Sequence, residues 1–120
     1  MTDVVVVKFG GGLITNKAKL CTPDLAIIDQ LVAVVKRCLE SGLQVIVVHG
    51  AGSFGHLRAK YWRLNEGLLP GVEFAAQGDC SSQKEAVSLV RKDMLTLNNI
   101  IINAFQKVGV PAKSLPPHRW

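Results

Sequence analysis

The sequence predicts an α/β fold, a three-layer α/β/α sandwich around a mostly parallel central sheet. Two short runs rich in β-branched residues predict strands over 4–8 and 44–48, buried on both faces as strands of a parallel sheet are. A segment of helical period lies between them, so the three elements form a βαβ unit with a right-handed crossover. A glycine-rich turn follows each strand, which places both turns at the carboxyl edge of the sheet.

The helix between the strands carries its own start and stop signals. Thr22 is the expected N-cap, Pro23 the first helical residue and Asp24 an acid in the first turn. Gly42 lies where a glycine ends a helix. The apolar residues between these signals recur every three or four positions and define one buried face: Ile28, Leu31, Val32, Val35, Cys38 and Leu39.

A second and longer helix is predicted after residue 82. Ser82 and Glu85 match the capping box, and Gly109 followed by Pro111 ends the helical pattern. The apolar residues form a core-facing stripe at alternating spacings of three and four: Val87, Val90, Met94, Leu97, Ile101, Ala104, Phe105 and Val108.

Two stretches have weaker patterns. Residues 57–80 contain scattered glycine and proline without a sustained period, and predict a long irregular segment with room for a short helix. Residues 112–115 predict the start of a third strand, which Pro116 and Pro117 interrupt.

The composition is that of one globular domain. The chain has 120 residues, of which 48% are hydrophobic and 19% charged, so the signature of disorder is missing. A net charge of +5 and a pI near 9.4 suit an anionic ligand. The basic residues are dispersed and do not alternate with aromatic ones, so we expect no nucleic-acid partner.

The cysteines and the hydropathy indicate a cytoplasmic protein. Cys21, Cys38 and Cys80 are too few and too scattered for a disulfide framework or a zinc site, and are expected to be reduced thiols. No apolar run approaches the roughly 20 residues that span a bilayer, and the run at 4–7 is too short for a signal peptide. We therefore expect no membrane partner.

The turn at 49–56 contains the pattern Gly-x-Gly-x-x-Gly, which formally matches a dinucleotide-binding fingerprint. That fingerprint requires a packed helix and an acidic residue about 20 positions on, whereas Gly67 and Pro70 break the following segment. A Walker A loop is missing from the sequence as well. His49, at the start of the turn, is expected to be a strand-end residue bonded to the backbone rather than a ligand.

The two glycine-rich turns are expected to open on one crevice, where Lys8, Lys17 and His56 can converge. Two flexible cations, a histidine and free backbone N–H groups offer little to acyl or glycosyl chemistry, but they suit two phosphates brought together. Phosphoryl transfer depends on positioning and charge neutralisation more than on covalent help. The residues therefore favour an enzyme of this class.

These motifs resemble a known family. KFGGG at 8–12 with Ile-Thr-x-Lys at 14–17, and the octapeptide HGAGSFGH at 49–56, are similar to the amino acid kinase superfamily and, within it, to isopentenyl phosphate kinases. Residues 90–98 and 109–111 fit the same family. The resemblance implies an amino acid kinase-like fold and ATP-dependent phosphorylation of isopentenyl phosphate to isopentenyl diphosphate for isoprenoid synthesis. The implied cofactors are ATP and Mg²⁺. Fosfomycin-kinase-like enzymes share much of the site and are the nearest alternative.

The resemblance also implies roles for individual residues. Lys17 would stabilise the transferring phosphoryl group and His56 would hold the acceptor phosphate, so that with Lys8 they form the catalytic set. The residues expected to contact ATP are Lys8, Phe9, Gly10, Gly11, Gly12 and Gly52. The residues expected to contact the acceptor are Ala51, Gly55 and His56, with Val90 and Met94 along its isoprenoid tail. No residue is assigned as a metal ligand.

The chain departs from the family in two ways. Gly12 stands where the family usually has serine or a small equivalent. Family members also run to roughly twice this length, in line with domains at the large end of the usual range. We therefore expect residues 1–120 to be the N-terminal portion of the domain, without its nucleotide-binding half and inactive alone. A non-catalytic phosphate-binding remnant is the alternative. The expected partner is a small-molecule phosphate. The sequence leaves open whether the chain forms a homodimer.

Overall fold

The computed structural model describes residues 3–115. The strands are β1 (Val4–Phe9) and β2 (Gln44–His49). The α-helices are α1 (Gly11–Ile14), α2 (Leu25–Glu40), α3 (His56–Tyr61) and α4 (Gln83–Lys107), and short 3₁₀ turns occupy Gly52–Phe54 and Leu64–Glu66. Among these residues, no helix is both long and apolar enough to cross a membrane.

The two strands are parallel neighbours, with Val4 opposite Gln44 at one end and Phe9 opposite His49 at the other. Helix α2 connects them and packs on β2, so the predicted βαβ unit is confirmed. Helix α4 packs against α2. The α/β class with a parallel sheet is therefore as the sequence predicts.

The sheet is covered on one face in the described part of the chain. Side chains alternate across the pleat, and those on the inner face join residues of α2 and α4 in the main core: Phe9, Val7, Val45 and Val47 with Ile28, Val32, Leu97 and Ile101. On the outer face Val4, Val6, Ile46 and Val48 are 49–64% exposed. Residues 3–115 thus form two of the three predicted layers, because no segment among them covers the outer face.

Helix α2 begins later than predicted. The N-cap is Asp24, whose Oδ1 accepts a hydrogen bond from Ile27 N at 3.1 Å, so Thr22 and Pro23 precede the helix. Thr22 N instead donates to Ser53 Oγ at 3.1 Å, which ties this residue to the second glycine-rich turn. The predicted end is confirmed, since Gly42 follows the C-cap with φ +90°.

Helix α4 begins as predicted, with Ser82 Oγ accepting from Glu85 N at 3.1 Å. In a capping box the glutamate side chain also accepts a hydrogen bond from the N–H of the N-cap residue. Here the Glu85 carboxylate accepts instead from the N–H and Oγ of Ser81, the residue before the N-cap. The helix ends at Lys107, two residues before Gly109, which has φ +77°. The predicted start and end of α4 are therefore confirmed.

The segment over 57–80 is largely irregular, as predicted, and has a small core of its own. Trp62 and Cys80 are buried against Ala86 of α4. Gln83 strengthens this contact, since its Nε2 donates to Trp62 O at 2.8 Å and its Oε1 accepts from Leu69 N at 2.7 Å. The long loop is thereby fastened to the start of α4.

The predicted third strand is wrong for residues 112–115, which have no regular structure. Pro111 supplies no backbone donor for a strand pair, and the Ser114 hydroxyl accepts a hydrogen bond from Asn98 Nδ2 of α4 at 2.7 Å. This stretch is therefore held by a helix rather than by the sheet. Pro116 and Pro117 lie outside the described residues.

The contact between α4 and the main core can be tested with one pair of variants. Leu97 is fully buried, so Leu97→Ala should lower the free energy of unfolding by about 2–5 kcal/mol, measured by urea denaturation. Leu95, on the same helix but 49% exposed, is the matched control, and Leu95→Ala should change that free energy by less than about 0.5 kcal/mol. Equal losses in the two variants would contradict the placement of α4.

Candidate functional site

The two glycine-rich turns lie backbone against backbone. A Cβ on Gly11 would collide with Gly52 N and lie 3.1 Å from Ala51 N, and a Cβ on Gly50 would lie 3.0 Å from Gly11 N. Gly52 also has φ +49°, a conformation that residues with side chains rarely adopt. Glycine is therefore needed here for close approach as well as for chain conformation.

Two hydroxyl groups fasten the turns together. Thr15 Oγ1 donates to Gly11 O at 2.6 Å and accepts from Ser53 N at 3.0 Å. Ser53 in turn accepts at its carbonyl from Cys21 N at 2.9 Å. The Thr15 and Ser53 side chains are nearly or fully buried. Neither residue is assigned a role from the sequence, although Ser53 directly follows Gly52 and Thr15 lies three residues after Gly12.

A cavity of about 340 Å³ opens where the two turns meet, and it is lined by Gly12, Lys17, Gly52 and His56. The structure thus brings together four of the predicted site residues, two from each turn region. The Lys17 side chain lies over Gly12. A Cβ added to Gly12 would be 2.5 Å from Lys17 Cε and 3.3 Å from Lys17 Nζ. The glycine that departs from the family pattern therefore makes room for the lysine.

The predicted ATP-contacting residues of the first turn occupy different environments. Lys8 is exposed on the outer face of the sheet, opposite Val48. The strand pleat turns Phe9 inward and Lys8 outward, so Lys8 does not line the cavity. Phe9 is fully buried, so only its backbone faces the turn. Gly10 is the N-cap of α1, and its carbonyl accepts from Leu13 N at 2.9 Å. The first N–H groups of that helix have no intrahelical acceptor.

The predicted acceptor-contacting residues surround Gly55. A Cβ on Gly55 would lie 2.7 Å from Ala51 Cβ, 3.7 Å from Val90 Cγ1 and 3.8 Å from Met94 Sδ. Val90 and Met94 therefore support the second turn from α4, next to the residue that precedes His56. They are not among the residues that line the cavity.

His49 lies outside the cavity lining, as its predicted structural role requires. Its Nδ1 is 3.1 Å from Gly50 O, and its Nε2 is 3.2 Å from Asn98 Oδ1 of α4. The ring thus joins the end of β2 to α4. This confirms the backbone contact expected from its position at the strand end.

A second and wider recess, of about 510 Å³, lies along α3 and is lined by Ala18, Leu20, Leu57, Lys60, Tyr61 and Gln77. Ala18 and Leu57 directly follow Lys17 and His56 in the chain, so both cavities share the same two segments.

Within residues 3–115, no carboxylate lines the first cavity, and no cluster of three or more histidine, cysteine or acidic groups could hold a metal ion. Carboxylates are the usual protein ligands of Mg²⁺. The residues present do not fit a protein-held Mg²⁺ ion. The chemistry of this cavity is that of an anion site, with a lysine, a histidine and backbone N–H groups.

With this geometry the chain is identified at the level of its family. The amino acid kinase family matches residues 3–119, and the chain belongs to that family.

Relatives with a known activity are isopentenyl phosphate kinases. The enzyme of Thermoplasma acidophilum is 31% identical over 116 residues, and that of Methanothermobacter thermautotrophicus is 28% identical over 115. These matches cover 94% and 95% of this chain but 40% of each relative. The chain therefore spans about two fifths of the length of the curated relatives it matches.

Solved structures agree with the sequence comparison. A crystal structure of the T. acidophilum isopentenyl phosphate kinase product complex superimposes with a TM-score of 0.66 at 30% identity, covering 90% of this chain and 40% of the other. A crystal structure of an isopentenyl phosphate kinase substrate complex gives a TM-score of 0.63 at 29% identity, covering 91% and 40%. The described fold is the one found in these kinases.

The contact between the turns predicts a sharp difference between two neighbouring glycines. Gly11→Ala places a methyl group against the backbone of the second turn, which should lower the free energy of unfolding by about 1–3 kcal/mol or more. Gly10→Ala is the matched control, since a Cβ there meets nothing within 4 Å and φ is −60°. Chemical denaturation of both variants measures the difference, and equal stability would contradict the close approach of the turns.

Proposed function

We propose that this chain is the N-terminal portion of an ATP-dependent kinase that converts isopentenyl phosphate to isopentenyl diphosphate. It would supply the acceptor-phosphate site and part of the ATP-phosphate site, and the nucleotide-binding half would lie outside residues 1–120. The observation that carries the proposal is the cavity between the two turns, where Lys17 and His56 face one space with Gly12 and Gly52. The kinase relatives named above support the choice of substrate.

The proposed reaction makes modest chemical demands on the protein. The nucleophile is an oxygen of a phosphate monoester, whose second pKa is about 6, so the acceptor is largely dianionic near neutral pH. No strong general base is needed, and the main task is to bring two anions together and neutralise their charge. A lysine and a histidine on a frame of backbone N–H groups suit this task.

In the proposed arrangement the residues have distinct roles. His56 and the backbone of Ala51 and Gly55 hold the acceptor phosphate, and Lys17 stabilises the charge on the transferring phosphoryl group. ATP phosphates are assigned to the backbone at Phe9, Gly10, Gly11, Gly12 and Gly52, whereas the Lys8 side chain lies on the outer face of the sheet and is given no phosphate contact. The isoprenoid tail is assigned to the α4 surface at Val90 and Met94, which already supports Gly55.

A non-catalytic phosphate-binding protein is the second candidate. It is favoured by the lining of the cavity, in which a lysine, a histidine and two glycines form an anion site. Both candidates keep the acceptor-phosphate site and differ in turnover. A fosfomycin-kinase-like activity would use the same cavity, and substituting a phosphonate for isopentenyl phosphate in the binding experiment below distinguishes it.

The acceptor site is tested by removing its histidine. His56→Ala should weaken binding of isopentenyl phosphate about 10- to 100-fold, as expected for loss of a hydrogen bond to a charged group, measured by calorimetry. Lys60→Ala is the matched control, because Lys60 is exposed one helical turn further along α3 and does not line the first cavity. An affinity unchanged in His56→Ala would remove this residue from the site.

Turnover is tested separately from binding. The 120-residue chain, mixed with ATP, Mg²⁺ and isopentenyl phosphate, should bind the acceptor but form no diphosphate above the uncatalysed background, followed by ³¹P NMR. The reason is that the proposed nucleotide-binding half is missing from these residues. Robust formation of isopentenyl diphosphate by the isolated chain would contradict that assignment.

A further inference from the structure

A buried ion pair joins α3 to α4. Arg58 Nη2 lies 3.2 Å from Asp93 Oδ2, and the two side chains are 10% and 18% exposed. Cys21 is partly buried and its N–H donates to Ser53 O at 2.9 Å; burial and the Asp93 carboxylate raise the pKa of its thiol to about 11. The cysteine is therefore a neutral thiol at neutral pH.

The three residues come from the three segments that form the candidate site. Arg58 is in α3, two residues after His56, and Cys21 is in the loop that contains Lys17. Asp93 lies in α4, between Val90 and Met94. The Arg58–Asp93 pair thus connects α3 to α4, and the backbone of Cys21 connects the loop with Lys17 to the second turn.

Helix α3 needs such an anchor. It has six residues, and helices this short are unstable in water without tertiary contacts. Successive residues of a helix are rotated by about 100°, so Arg58 and His56 point to nearly opposite sides. The burial agrees, because Arg58 is 8% exposed whereas His56 is exposed and lines the cavity. Arg58 therefore fixes the inner side of the helix whose outer side carries His56.

The loop with Lys17 is fixed at the same place. Cys21 has φ +50°, which is unusual for a residue with a side chain, and its N–H donates to Ser53 O of the second turn at 2.9 Å. The loop is thus held to the turn by its backbone.

Stability alone does not explain this pair. Replacing a buried ion pair with apolar residues of similar size is often neutral or stabilising, because both charges lose their hydration. Here Arg58 Nε is also buried without a hydrogen-bond partner among the described residues, which adds to the cost. What the pair provides in return is a directional link between two helices.

We propose that the Arg58–Asp93 pair, which fixes α3 on α4, positions His56 relative to Lys17 at the phosphate cavity. The inference rests on the proposed function in so far as the cavity binds a phosphate. Arg58 and Asp93 act through α3 and are positioning residues rather than ligands.

The test uses three variants of the full 120-residue chain. Asp93→Asn removes the charge at constant shape, and the double variant Arg58→Met with Asp93→Leu replaces the pair with apolar side chains. The control is Arg63→Met with Glu66→Leu, which removes the exposed ion pair after α3. Each variant is examined for isopentenyl phosphate affinity by calorimetry, for thermal unfolding, and for the NMR line width of the His56 imidazole.

Both variants of the buried pair should bind isopentenyl phosphate about tenfold more weakly, as for loss of an outer partner that orients a histidine ligand. Their His56 signals should broaden, because α3 loses its directional anchor. The apolar double variant should nevertheless unfold at the wild-type temperature or above it. The exposed-pair control should match the wild type in all three measurements.

A folded apolar double variant with wild-type affinity and a wild-type His56 line would overturn the inference, since the pair would then serve only to fill the core. If Asp93→Asn does not fold, the apolar double variant decides alone. If the wild-type chain binds no isopentenyl phosphate, the proposed function fails, while the His56 line widths still decide whether the pair positions this residue.

Discussion

The close contact between the backbones of the two glycine-rich turns is the constraint on which the site depends. Gly11 and Gly52 touch without any intervening side chain, and Thr15 bridges them by hydrogen bonds to Gly11 O and Ser53 N. Because β1 and β2 are parallel and in register, both turns leave the sheet at the same edge. The cavity, the position of Lys17 and the start of α3 all follow from this contact.

The fold could be predicted largely because its signals are local. The parallel strands, the end of α2 at Gly42 and the start of α4 at Ser82 each depend on a few neighbouring residues. The N-cap of α2 could not be decided in this way, because Thr22 and Asp24 are both good caps and Thr22 is engaged by Ser53, which is distant in sequence. The strand expected over 112–115 failed similarly, since Ser114 is held by Asn98.

The site could be predicted as a set of motifs but only partly as an arrangement. Gly12, Lys17, Gly52 and His56 share one cavity, as the convergence of the two turns requires. Lys8 was expected among them, yet the strand pleat that buries Phe9 places Lys8 on the outer face. The Arg58–Asp93 ion pair was not foreseen, because ion pairing between residues 35 positions apart leaves no local pattern.

Gly12 has a consequence for the entropy of binding. Since it has no side chain, the Lys17 stem can lie directly over it, where a Cβ would be 2.5 Å from Lys17 Cε. The backbone frame around it is already ordered by the turn contact and gains little further order from a ligand. In the proposed function, the conformational entropy that an anion would cost on binding is then concentrated in Lys17 and His56, at about 0.5–1.5 kcal/mol for each immobilised side chain. The charged groups of the cavity would then order on a backbone frame that the turn contact already fixes.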